Sequence, residues 1–181
     1  MNKKILLLLP AIFCVLILTG CNSNNQSESH KSELETIGLT AKQSKAYKSL
    51  IKEMNKSIKM LDELDESPGT ITTNDVTDTL LQAGNIESAY LKAGGKNQDE
   101  IVDRLQENVG SIYQVAKMMG TYYRNYTEAE AYLILGDYIY ISNDLAKTWN
   151  LNEKQQNKLK DYLLNHLKLS PKFDEGLKKY K

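Results

Sequence analysis

Residues 131–141 read Ala-Tyr-Leu-Ile-Leu-Gly-Asp-Tyr-Ile-Tyr-Ile. The stretch is apolar nearly all round, and two readings compete for it. Tyr138-Ile139-Tyr140-Ile141 suits a strand, since aromatic and β-branched side chains favour pleated backbone. The flanks decide for a helix. Thr127-Glu128-Ala129-Glu130 has the order of a capping box, and helical composition continues through Asp144-Leu145-Ala146 to an end near Trp149-Asn150. A helix that is apolar on most sides is central and buried.

Working outward, Asn97-Gln98-Asp99-Glu100 is a further capping box, with Asn97 as cap and Glu100 reaching back. Leu105, Val109, Ile112, Ala116, Met119, Tyr123 and Tyr126 then repeat at spacings of four and three. A seam that long must face other helices. Gly110 and Gly120 sit inside it at some cost to helix stability.

Before this, Tyr47, Ile51, Met54, Ile58 and Leu61 form one stripe, widened by Leu50 and Leu64. That predicts a first long helix from about Thr40 to Glu66, stopped by Ser67-Pro68-Gly69. A second is expected from Asp75 to Ala93, capped by Thr73 or Asn74 and stopped by Gly94-Gly95. Its stripe of Val76, Leu80, Ala83, Ile86 or Glu87, Tyr90 and Leu91 is weaker. After the central helix, residues 152–167 predict a fifth, with Leu159, Tyr162, Leu163 and Leu167 inward. Ser170-Pro171 opens a short last helix over 172–180, which packs Phe173 and Leu177. The expected fold is an all-α bundle of about five helices plus a short C-terminal helix, over residues 39–181. No internal repeat of 30–45 residues is present.

The N-terminus has a different character. Lys3-Lys4 precede fourteen mostly apolar residues, Ile5 to Leu18, and polar Asn22-Ser23-Asn24-Asn25-Gln26 follows. That order is a secretory signal. A membrane span wants roughly 20 apolar residues, and this run is shorter and holds Pro10. Leu18-Thr19-Gly20-Cys21 resembles the lipobox of bacterial lipoproteins. The resemblance implies a signal peptide over 1–20, cleavage between Gly20 and Cys21, and a diacylglyceryl lipid on Cys21. It implies a protein tethered to the outer face of the cytoplasmic membrane. Residues 21–38 are polar enough to be expected as a flexible, lipidated stalk.

Charge and cysteine usage narrow the partners. The chain has 23 basic and 23 acidic residues. Removing 1–20 takes Lys3 and Lys4 and no acid, leaving 21 against 23. That balance gives no electrostatic reason to expect nucleic acid. Cys14 leaves with the signal, so Cys21 is the only cysteine kept, and neither an internal disulfide nor a cysteine metal site is possible. Lys outnumbers Arg 21 to 2, a bias of AT-rich genomes that favours a Gram-positive source.

No motif for catalysis, phosphate binding or metal binding is present, so neither enzyme activity nor a cofactor is expected. His30 falls in the stalk, and His166 stands alone on a helix. Asp62-Glu63 and Asp65-Glu66 read as a solvated helix end. Six of eleven tyrosines lie between Tyr122 and Tyr140. They either fill the core between the third and fourth helices or form a binding face, marked by Tyr122, Tyr126 and Asp137. A buried Asp137 needs a partner, Arg124 or a tyrosine hydroxyl; in a cleft it reads a cationic or hydroxylated ligand. The expectation is a monomeric, non-enzymatic, lipid-anchored module that binds a protein at the cell envelope. The alternative is a small-molecule or peptide receptor using a Tyr-lined groove between helices three and four.

Overall fold

The computed structural model describes residues 31–66, 72–110 and 128–178, which belong to one unit starting at Lys31. The expected signal peptide and Cys21, His30, the Ser67-Pro68-Gly69 stop, the seam from Ile112 on, Tyr122, Tyr126 and the capping threonine Thr127 lie outside these residues. Seven α-helices are described, with no strand among them: α1 (Glu33–Ile37), α2 (Ala41–Glu66), α3 (Thr73–Lys92), α4 (Gln98–Leu105), α5 (Glu128–Thr148), α6 (Glu153–His166) and α7 (Pro171–Leu177). α4 runs on into a π-helical turn, Gln106–Gly110. None of the described helices is long and apolar enough to cross a membrane.

The stretch 131–141 is helical, as its flanks required. Ala131, Ile134, Leu135, Tyr138, Ile141, Leu145 and Ala146 are all buried on α5, while Leu133 is half exposed. α6 and α7 pack on α5. Gly176 lets α7 come close: a Cβ there would lie 3.1 Å from the Tyr132 backbone nitrogen. Tyr47 of α2 reaches the centre, its hydroxyl 2.6 Å from Ser142 Oγ and donating to Leu159 O at 3.3 Å. The α2 stripe of Tyr47, Leu50, Ile51, Met54, Ile58 and Leu61 is buried throughout, each such side chain adding roughly 1.5–3 kcal/mol.

Three helices end in the same device. Gly38, Gly94 and Asn150 take positive φ (116°, 98° and 55°). In each, the next residue's N–H bonds back five positions: Leu39 to Leu34 O, Gly95 to Tyr90 O, Leu151 to Ala146 O. These are Schellman closures, which satisfy carbonyls that a helix end leaves open.

Four expectations need correction. First, the stalk is too long. Residues 33–37 form α1, with Leu34, Ile37 and Leu39 buried, and Glu35 Oε2 accepts the Ser32 N–H at 2.8 Å. A polar average hid two apolar residues on one side of a short helix and a third just past its end. Second, α3 is capped by Thr72, not Thr73 or Asn74. Its Oγ1 accepts the Asp75 N–H, and Asp75 Oδ2 accepts the Thr72 N–H at 2.6 Å. Third, Leu80 and Leu91 do not lie in the core; each is 36% exposed. Polar residues take inner positions instead: Gln82 donates to Glu53 O at 2.9 Å, and Thr79 to Val76 O at 2.8 Å. Fourth, Asn97 stands at the cap position of α4 but makes no capping bond. Its amide bonds Asp144 on α5, and Glu100 binds Arg104 at 3.0 Å. Tertiary partners outcompeted the local box.

Candidate functional site

α2 carries two stripes. The inner one is apolar. The one beside it holds Lys48, Lys52, Asn55 and Lys59, spaced four, three and four, so they stack along one edge of the helix. Facing this edge is the end of α6 with the segment His166–Ser170. Between them lies a groove of about 770 Å³.

Asn55 sets the distance between the walls. Its Nδ2 donates to His166 O at 3.0 Å, and its Oδ1 accepts the Lys168 N–H at 2.6 Å. One amide thereby occupies both a carbonyl and an N–H of a segment that leaves the helix. Tyr162 and His166, four residues apart on α6, stack with ring centroids 3.8 Å apart and planes 18° apart. His166 Nδ1–H donates to Tyr162 O at 2.8 Å, which fixes the ring against its own helix. Burial, then the charge of Glu33, raises the Tyr162 pKa, so the phenol stays neutral.

The floor is apolar, from Ile51, the Tyr162 ring and Leu169. The rim is cationic. Lys56 is held by Glu53 at 2.9 Å and Lys59 by Glu63 at 3.1 Å. Glu53 lies below its ordinary pKa; burial opposes this, but bonds from Lys56 and Gln82 outweigh it. Lys48, Lys52 and Lys168 make no ion pair among the described residues. Asp62 and Glu63 stand at the far end. Sequence reasoning missed this site. Its signal was the lysine spacing along α2, which resembles any solvated helix face until a second wall is known.

Asp137, a sequence-predicted site residue, lies on α5 and is 2% exposed. Its partners come from α4 and the π-turn. Asn108 Nδ2 donates to Oδ2 at 2.8 Å, and Arg104 Nη1 lies 3.7 Å from Oδ1. Arg124, the expected cation, lies outside the described residues. Arg104 also sits 4.1 Å over the Tyr140 ring, a favourable cation–π placement. Burial pushes the Asp137 carboxyl up to about 6, against the pull of Asn108 and Arg104. Tyr138 is wholly buried, so this member of the tyrosine cluster is core. The groove is lined by Tyr162 and not by Asp137, Tyr138 or Tyr140.

Comparison with protein-family models, with curated proteins and with solved structures finds no match to this chain. Any functional reading therefore stands on the residues alone. Among the described residues no group of three or more His, Cys, Asp or Glu could hold a metal ion. The groove offers apolar contact, cationic donors and a stacked ring pair, which is equipment for binding.

Proposed function

We propose that the protein is a lipid-anchored, non-enzymatic binding module of the cell envelope. It is held on the outer face of the cytoplasmic membrane through Cys21 and takes hold of a protein partner through the α2–α6 groove. The groove itself is the observation that carries this reading: an apolar floor between cationic walls, braced by Asn55. The lipobox order Leu18-Thr19-Gly20-Cys21 supports the anchor. One acyl chain holds a protein only weakly, and a diacylglyceryl group supplies the second.

A small-ligand receptor is the second reading, because about 770 Å³ falls within the usual range of ligand sites. The lysine row favours a protein segment. From Lys48 to Lys59 it spans 11 residues, about 16 Å at the helical rise, longer than a compact ligand needs.

Two measurements test the parts separately. Intact mass of the native protein should show a diacylated N-terminus at Cys21; a free thiol there, or a chain beginning at Met1, removes the anchor. Lysine-directed crosslinking on intact cells should join Lys48, Lys52 or Lys168 to one dominant protein. Crosslinks that avoid these three lysines remove the groove from the function.

A further inference from the structure

We infer that the groove receives an acidic amphipathic segment of the partner protein. The inference rests on the proposed binding role and adds the chemistry of what is bound.

The floor needs an apolar counterpart. Ile51, Tyr162 and Leu169 give nothing to a bare anion, and a flat lipid surface meets a rim without reaching a floor. A segment with one apolar face fills it, the way amphipathic helices lie in grooves. The rim needs acid. Lys48 and Lys52 on one wall and Lys168 on the other are exposed and unpaired among the described residues. They flank the floor, so carboxylates on both edges of the apolar face are matched at once.

Lys56 and Lys59 are paired with Glu53 and Glu63, so the demand for acid is carried by Lys48, Lys52 and Lys168.

The test uses the full chain in non-ionic detergent and a fluorescein-labelled helical peptide. The peptide has Leu on one face and Glu along both of its edges. Anisotropy should show saturable binding, weakened about tenfold or more by Lys48→Glu with Lys52→Glu. Both lysines are exposed, so these variants should keep the circular dichroism of the parent. Leu169→Ser should weaken binding as well. The inference is overturned by no binding up to about 1 mM. It is equally overturned if polyglutamate or phosphatidylglycerol in mixed micelles displaces the peptide at matching charge concentration, or if the Lys48→Glu with Lys52→Glu variant binds as well as the parent. None of these outcomes depends on the lipid, so they leave the anchor to be judged by the mass of the N-terminus.

Discussion

Asn55 Oδ1 accepts the backbone N–H of Lys168 at 2.6 Å, across 113 residues of chain. With the second bond to His166 O at 3.0 Å, it pins the segment after α6 onto α2 and so holds the groove open at a set width. Asn55→Ala should lose about 1–3 kcal/mol, the usual cost of two hydrogen bonds with their partners left behind. The urea midpoint should fall with the slope unchanged. Asn55→Asp keeps the acceptor and loses the donor, so it should fall between parent and Ala. Equal midpoints for all three would show that the clamp contributes nothing.

A second knot ties the α3–α4 connection to α5. The Tyr90 hydroxyl accepts the N–H groups of Lys96 and Asn97 at 3.0 and 2.9 Å and donates to Asp144 Oδ2 at 2.5 Å. Burial, then the bond to Asp144, pushes its pKa up to about 12, so the donor persists at any working pH. Tyr90→Phe leaves two N–H groups without their acceptor and should cost about 1–3 kcal/mol. Gly95→Ala should be worse placed still, because a Cβ would overlap the fully buried Tyr90 ring, and overpacking costs about 1–3 kcal/mol. Amide hydrogen exchange at Lys96 and Asn97 should accelerate in Tyr90→Phe; unchanged protection there would contradict the bonding described.

Helices were legible in this chain where one period ran unbroken. The α2 stripe from Tyr47 to Leu61 and the α6 set Leu159, Tyr162, Leu163 and Leu167 are buried as their spacing required. Local signals failed where distant partners competed. Asn97 has the order of a cap, yet Asp144, distant in sequence and near in space, takes its amide. Gln82 has no claim to the core until Glu53 O is placed beside it. The groove was hidden for the same reason: each wall is ordinary alone, and a helix edge with three lysines becomes a site only when His166–Ser170 is folded across it. Of the tyrosine cluster, Tyr138 is buried in the core, while Tyr132 and Tyr140 are only partly buried.

α1 marks where the folded unit starts, and its contribution is measurable. Leu34 is fully buried and Ile37 is 5% exposed, and Gln155 of α6 donates to Ile37 O at 2.8 Å. Leu34→Ala should cost about 2–5 kcal/mol, the range for buried leucines. A flexible stalk would show no effect. Gly38→Ala should also destabilise, since φ of +116° strains any side chain and the new Cβ would meet the Gln155 amide.

Asp137 should make stability fall as pH rises. Its carboxyl titrates near 6 in the folded protein against an ordinary 3.8, so the native state holds this proton more tightly than the unfolded chain. A raised pKa contributes stability in full below the unfolded value and loses it as pH climbs through the folded one. The window therefore runs from about pH 4 to pH 6, and the loss is on the order of 1–3 kcal/mol. The groups that set it are few. Burial raises the pKa, with a smaller push from Glu107, while Asn108 and Arg104 oppose. Asp137→Asn keeps an acceptor for Asn108 and cannot ionise. Its urea midpoint should match the parent near pH 4 and exceed it at pH 7. Arg104→Ala, which removes the cation 3.7 Å away, should raise the folded pKa further and carry the decline to higher pH than in the parent. Parallel pH profiles for parent and Asp137→Asn would mean that the carboxylate is hydrated in the folded state, contrary to its 2% exposure.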